Sequence, residues 1–378
     1  MTRKVIAAGH ICLDVAPVFS HKCVQDISEV FRPGSIVQIG EAVFSTGGAV
    51  ANTGLAMKIF GADVELIGKI GRDPFGDTVM KILSGYGAEQ GMIISGTDPT
   101  SYTIILTLPG IDRIFLHAPG ADATFCSDDV PEAALEDAVL FHFGYPTAMR
   151  RMYQNGGSEL IKLMKRVKER GIASSLDLSA VDPSSEAGQQ DWDAILRKVL
   201  PWTDFFVPSA EELCSMIDPE RYKEWLQRAG RQDVCTVLDP VRDIRPLAER
   251  CLSYGAKVLL IKCGALGMYL RTAGADVLKT IGSRLEFSNG EWADLEIFEP
   301  SYVPDRIVSG TGCGDTSIAA FLTAVLNEET PQEALHLAAA AGAACITGPD
   351  ALSGLMNMTE LKERIHAGWK KTGGQRRE

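Results

Sequence analysis

Val308-Ser-Gly-Thr-Gly-Cys-Gly-Asp315-Thr-Ser-Ile-Ala-Ala-Phe-Leu-Thr-Ala-Val-Leu326 sets a glycine-rich turn directly in front of a helix that opens with an acid. Gly310, Gly312 and Gly314 allow positive φ and let a ligand approach bare backbone amides. Ile318, Phe321, Leu322 and Val325 recur at i, i+3, i+4 and i+7, which predicts a helix with one buried stripe. The start of such a helix carries about half a positive charge. Turn amides and dipole together make an anion site, most naturally for phosphate. Asp315 then has two readings. An acid at a helix start is ordinarily a cap. A carboxylate beside an anion site instead suits a base that takes a proton from a hydroxyl attacking a phosphoryl group.

The commoner glycine signatures do not fit. A P-loop requires G-x-x-x-x-G-K-[ST], but Gly68-Lys69 is followed by Ile70. A dinucleotide fingerprint requires G-x-G-x-x-G after an early strand, whereas Gly310-Thr-Gly-Cys-Gly314 has other spacing and lies late in the chain.

Upstream of this stretch the chain alternates. Strands are expected at Lys4 to Ala8, Val64 to Ile70, Ala138 to Phe143, Ala173 to Asp177, Phe205 to Val207 and Val258 to Lys262. Helical patterns separate them, including one from Gly47-Gly48 to Phe60 closed by Gly61, one from Asp77 to Tyr86 and one from Leu160 to Arg170. Such alternation implies a mostly parallel sheet covered on both faces, with ligands beyond the carboxyl ends of its strands, where Asp177, Glu212 and Gly264 fall. Two β-prone patches stand apart. One holds Ser35 to Ile39 and Ala42 to Ser45, and the other Ser101 to Leu108 and Arg113 to His117. Together they are expected to build a small lid. Near the end, Thr330-Pro331-Gln-Glu333 predicts the capped start of an alanine-rich helix packed beside that of Asp315.

The bulk numbers exclude several classes of function. With 37 Lys and Arg against 49 Asp and Glu, the net charge is −12 and there is no long basic run, which argues against nucleic-acid or anionic-membrane partners. Lys370, Lys371, Arg376 and Arg377 read as a solvated end. No signal peptide is evident, and the longest apolar stretch, around Ala338 to Ile346, is too short for a bilayer. Nine cysteines without regular spacing fit reduced thiols in a cytoplasmic protein. Six histidines form no HExxH pattern, so a protein-held zinc is not expected.

In this order the pieces resemble the ribokinase family of carbohydrate kinases, also called the phosphofructokinase-B (PfkB) family, over nearly the whole length. Gly312-Cys313-Gly314-Asp315 resembles the G-A-G-D end of the family's D-T-x-G-A-G-D motif. Gly47-Gly48-Ala-Val-Ala-Asn52 resembles its G-G-x-x-A-N sugar-binding turn, and Gly68-Lys-Ile-Gly-Arg-Asp-Pro-Phe-Gly76 follows at the expected distance. Gly9 and Asp14 are similar to the opening G-x-x-x-x-D, and Lys262-Cys-Gly264-Ala-Leu-Gly267 to the nucleotide-side glycine loop. The resemblance implies one ribokinase-like α/β domain over residues 1–378. Its fold would be a three-layer α/β/α sandwich with a mostly parallel central sheet and lid strands from about 12–46 and 99–118.

The resemblance also implies an ATP- and Mg²⁺-dependent transfer to a sugar or nucleoside hydroxyl. Asp315 would be the base, and the amides of Gly312, Cys313 and Gly314 the anion hole. Asp14, Gly48, Asn52, Arg113 and Asp122 would contact substrate. Lys262, Gly264, Gly267, Gly310 and Thr311 would line the nucleotide side, and Glu212 would act on the metal through water. Ser309 and Gly310 stand where the family has Asp-Thr, and Ser209 replaces the asparagine of its P-N-x-x-E motif in Pro208-Ser-Ala-Glu-Glu212. A sensor that binds without turnover is therefore the alternative, with a dinucleotide oxidoreductase a distant third. Pairing of two copies through the lid strands would cover their edges. If Cys313 lies at a helix N-terminus, its thiol pKa should fall.

Overall fold

A computed structural model describes residues 3–19, 23–111, 113–287 and 290–372 of the chain. Arg376 and Arg377 of the basic tail lie outside the described residues. The strands in chain order are β1 (Lys4–Gly9), β2 (Cys12–Pro17), β3 (Ala42–Gly47), β4 (Asp63–Ile67), β5 (Lys69–Gly71), β6 (Ile93–Ser95) and β7 (Tyr102–Leu106). They continue with β8 (Ile114–Ala118), β9 (Ala138–Gly144), β10 (Ala173–Asp177), β11 (Phe205–Phe206), β12 (Val258–Lys262), β13 (Gly267–Thr272) and β14 (Glu296–Pro300).

Eight of them form the central sheet in the order β14-β13-β12-β11-β10-β9-β1-β4. Its pairs are parallel from β4 through β12, while β13 and β14 are added antiparallel at one edge. The parallel strands are apolar along their length because helices cover both faces. One face packs on the helices Ala49–Ile59, Cys313–Leu326 and Pro331–Cys345, and the other on Arg150–Glu169 through Arg245–Ser253. The fold is thus a three-layer α/β/α sandwich.

Val64 to Ile70 does not run as one strand. It divides at Gly68 into β4 and β5, which belong to different sheets, and a Cβ at Gly68 would lie 2.6 Å from Ile11 Cγ2. Ser35 to Ile39 forms no strand either. It has β-prone residues but no neighbouring strand to pair with, and Ile36 is 94% exposed. The second helix begins at Pro74 rather than Asp77, because Asp73 caps it by accepting from the Gly76 amide at 2.9 Å. The helix expected from Leu160 reaches back to Arg150, interrupted by left-handed backbone at Asn155, Gly156 and Gly157. Thr330 does cap the alanine-rich helix. Gly342 lets that helix press on its neighbour, since a Cβ there would meet Ser317 Oγ at 2.6 Å.

A second sheet, in the order β3-β2-β7-β8, stands over the carboxyl ends of the central strands. Its register aligns Ser45, Asp14, Thr103 and His117 in one row across the four strands. No helix among the described residues is long and apolar enough to cross a membrane.

Candidate active site

The central strands end in a line of polar residues: His10 after β1, Tyr145 after β9, Asp177 at the tip of β10 and Lys262 at the tip of β12. The Cys313–Leu326 helix points its N-terminus at that line. Gly312, at φ 75°, turns the chain into the helix, and a Cβ there would come within 2.2 Å of Ala351 Cβ. The Cys313 amide makes only a long bond to Gly310 O, at 3.4 Å. The amides of Gly312 and Gly314 have no acceptor among the described residues. Ser309 holds the turn, its hydroxyl accepting from the Thr311 amide at 3.2 Å and donating to Thr311 Oγ1 at 3.1 Å.

Asp315 caps nothing in its own helix. Its carboxylate is 3% exposed and accepts from Asn52 Nδ2 at 3.0 Å, Tyr145 Oη at 2.7 Å and, weakly, Thr53 Oγ1 at 3.4 Å. Burial raises its pKa, while Tyr145, Lys262, Asn52 and Thr53 pull the other way. The result is a carboxylate fixed in orientation and more basic than one in water.

On the lid side, Gly47 and Gly48 let two side chains press against the backbone. A Cβ on Gly47 would lie 2.4 Å from Asp14 Oδ2, and one on Gly48 the same distance from His10 Nδ1. Asp14 accepts from Cys12 Sγ at 3.4 Å, and Thr103 Oγ1 bonds His117 Nδ1 at 3.0 Å. Burial, opposed by bonds from Cys12 and Thr103 and reinforced by Asp315, pushes Asp14 from 3.8 to about 6. Asp122 is fully buried beneath this row. It accepts from the Ile11 amide at 3.3 Å, stands 3.4 Å from His10 Nε2 and leaves Oδ1 without a partner. Burial raises Asp122 far above the ordinary range and lowers His10 to about 3. The His10 imidazole is therefore neutral at pH 7.

Asp14→Asn is expected to separate stability from function. The folded pKa near 6 lies above the ordinary 3.8, so the stability tied to this group is complete below about pH 4 and lost as pH rises through 6. The asparagine variant should melt higher than the parent at pH 8, by at most on the order of 3 kcal/mol of stability. The gain should shrink toward pH 5 in parallel thermal melts.

On the opposite side, Lys262 Nζ bonds Asp177 Oδ1 at 2.7 Å while its methylenes lie against Gly314. Asp177 Oδ2 is buried without a partner. Burial pushes Asp177 up to about 8 against the pull of Lys262, with Glu212 and Asp315 adding to the rise. Burial works against the Lys262 ammonium too, but Asp177, Glu212 and Asp315 outweigh it and hold its pKa up. Below about pH 8 the pair therefore keeps a positive charge beside the turn.

Arg113 enters from the lid, donating from Nη1 to Thr311 Oγ1 at 2.6 Å, so it meets the glycine turn rather than the Asp14 row. Glu212 accepts from the Ser209 amide at 3.1 Å while Ser209 Oγ accepts from Glu212 N at 3.3 Å, so the serine caps the helix it begins. Gly264 and Gly267 have left-handed or open φ, and Gly267 has a packing reason for it, since a Cβ would lie 2.1 Å from Glu299 O. The Cys313 thiol is lowered as the sequence suggests, but chiefly by a hydrogen bond with Cys345. Among the described residues no three His, Cys, Asp or Glu side chains converge as a metal site.

Sequence reasoning missed His10, Thr53 and Tyr145. The two strand-end residues carried a usable signal: each directly follows a glycine that ends a buried strand, at the edge where such folds place ligands. Tyr145 adopts left-handed backbone at φ 67°, a conformation that costs a non-glycine residue about 1–2 kcal/mol.

Comparison with known proteins bears on the family and the fold. A family model described as pfkB family carbohydrate kinase matches residues 14–357. Fructokinase-2 of Oryza sativa subsp. japonica is 23% identical over 374 residues, covering 96% of this chain and 93% of the relative. The structure of Arabidopsis thaliana ribokinase complexed with ribose and ATP superposes with a TM-score of 0.69 at 18% identity, covering 96% of this chain and 98% of that one. A nucleoside kinase of Methanocaldococcus jannaschii gives 0.65 at 18% identity, over 97% and 99%.

Proposed function

This chain belongs to the pfkB family of carbohydrate kinases, and from that premise we propose that it transfers the γ-phosphoryl group of ATP to a hydroxyl of an uncharged sugar or sugar-like molecule, with Asp315 as general base. One observation carries the assignment. A buried carboxylate, held by three side-chain donors and capping nothing, sits at the foot of a turn whose Gly312 and Gly314 amides have no acceptor among the described residues. Phosphoryl transfer passes through a loose transition state, so it needs positioning and charge stabilisation more than covalent help. The acceptor hydroxyl would lie between Asp14 and Asp315 and lose its proton to Asp315 late. The Gly312, Cys313 and Gly314 amides, the helix dipole, Arg113 and Lys262 would hold the charge on the moving group. Gly310 and Thr311 would border the triphosphate, with Gly264 and Gly267 on the nucleoside side.

The acceptor class follows from charge. The row over β3, β2, β7 and β8, with His10 and Asp122 beneath, offers carboxyls, hydroxyls and neutral imidazoles. Of the described cations around it, Arg113 and Lys262 are turned to the phosphate turn and Lys69 is paired with Asp129. A phosphorylated or acidic acceptor would meet Asp14 and Asp315 without a counter-charge. Gly48, Asn52 and Asp122 would shape the pocket, Asn52 mainly through its bond to the base.

Magnesium fits a site with few direct protein ligands, because it dehydrates reluctantly and usually travels with phosphate oxygens. Glu212 would hold it through water, near the unpartnered Asp177 Oδ2. When bound it supplies neutralisation of phosphate charge.

The substitutions that motivate a sensor are used locally, Ser209 as a helix cap and Ser309 in the turn, and neither blocks the site. ADP release with a panel of sugars, polyols and nucleosides at fixed MgATP tests the reading, with thermal shifts recorded for each compound. Stabilisation by a compound with no ADP released would favour the sensor.

The domain reading follows the same lines. One α/β domain would carry a lid from about 12–46 and 99–118, closing over acceptor and excluding water. Val43, Phe44, Phe115 and Leu116 of the lid are each about half exposed. Two lids would cover these residues, and sedimentation is expected to give a dimer; a monomer at assay concentration would count against it.

A further inference from the structure

We propose that Tyr145 is the residue that positions the base: its hydroxyl, 2.7 Å from Asp315 Oδ1, fixes the carboxylate and keeps it ionised for proton transfer. The inference rests on the reading of Asp315 as base.

Two independent observations lead to it. The hydrogen bond joins residues 170 apart, at the point where β9 meets the Cys313–Leu326 helix, and is the shortest the carboxylate receives. The backbone of Tyr145 is left-handed although the residue is not glycine, a conformation that persists where surrounding contacts hold it and that gathers at functional sites. Those contacts are visible. The Tyr145 amide donates to Asp177 O at 3.4 Å, its ring lies 6.0 Å from that of His10, and Pro146 follows at once. The side chain thus stands between the acceptor side, at His10 and Asn52, and the phosphate side, at Asp177 and Lys262.

Its chemistry suits the role. A phenol of raised pKa, as burial and Asp315 make Tyr145, stays protonated and can only donate to a carboxylate. Asn52 holds Oδ2 and Tyr145 holds Oδ1, so the carboxylate plane is set from both oxygens. A donor to the ionised form favours that form. The other titratable groups that face Asp315 are Cys313 on its own helix and Asp14, Asp177, Lys262 and Cys345 from four further elements. Of these only Lys262 also favours ionisation of the base.

The test is the pH dependence of kcat and kcat/KM in the full-length chain for the parent, Tyr145→Phe and Asp315→Asn, with the acceptor found by ADP release. Tyr145→Phe is expected to lower kcat about tenfold or more, the scale of one hydrogen bond to a charged group, with KM for ATP unchanged. Its acid limb should move to higher pH. Replacing Tyr145 by 3-fluorotyrosine, a stronger donor of nearly the same shape, should move that limb the other way and keeps the test open if the phenylalanine variant folds poorly. A purely structural role predicts lower melting temperature with both limbs unmoved, and that result overturns the proposal. If Asp315→Asn itself keeps near-parental kcat, the base assignment fails first, whatever Tyr145 does.

Discussion

Asp315→Asn is expected to lower kcat by on the order of 10²-fold or more, the range removed with a general base, without lowering the melting temperature at neutral pH. The two halves of that expectation come from one environment. Asparagine has nearly the shape of aspartate, and its amide oxygen can still accept from Tyr145 or Asn52, so the packing survives. The folded pKa of Asp315 is raised by burial, so keeping it ionised works against folding above that pKa, and the neutral amide removes the penalty. Activity lost with stability kept or gained marks a residue retained for chemistry. Near-parental kcat in this variant would return Asp315 to the structural residues and remove the proposed mechanism.

Lys262→Met should lower kcat/KM for ATP by on the order of 10²-fold, comparable to loss of a donor that stabilises transition-state charge. Methionine preserves the methylene packing on Gly314 and removes only the ammonium. Asp177 then loses its partner. Leaving a buried charge unpaired typically costs about 3–5 kcal/mol, but an acid already at about 8 can protonate instead, so the measured loss should lie below that range. The pH profile gives the sign directly. Below about 8 Asp177 is largely neutral and Lys262 presents its charge to the turn; above 8 Asp177 ionises and cancels it. The parent should therefore show a basic limb near 8 in kcat/KM for ATP, and Asp177→Asn should lack it. His142 near Lys262 is held down to about 3 by burial and stays neutral across this window, so it does not supply the limb. A limb that persists unchanged in Asp177→Asn would refute the assignment.

Much of this was legible in the sequence because it is local. The glycine turn, the stripe of Ile318, Phe321, Leu322 and Val325, and the alternation of apolar runs with helices all announce themselves within windows of a few residues. What was illegible depends on where separate pieces of backbone meet. Asn52 reads as a sugar ligand in its own motif, yet its amide is turned to Asp315, 263 positions away. Arg113 reads as a lid residue facing substrate, but the approach to β8 brings it to Thr311. Tyr145 has no motif at all, and its importance comes from a backbone angle that no spacing encodes. The misread segments have a common cause as well. Ser35 to Ile39 has the composition of a strand, but a strand exists only with a neighbour. Val64 to Ile70 is apolar throughout, but Gly68 lets the chain leave one sheet for another.

The contacts that hold the carboxylate also bear on how the chain comes into being. Asn52, Tyr145 and Asp315 belong to widely separated parts of the polypeptide, and the last of them arrives only after every strand of the described residues has been synthesised. Pairings over such separations close slowly. A nascent or C-terminally shortened chain lacking the region after β14 would thus be inert toward ATP even with every β-strand in place, and the onset of turnover during refolding would time the docking of the last large helices rather than assembly of the sheet.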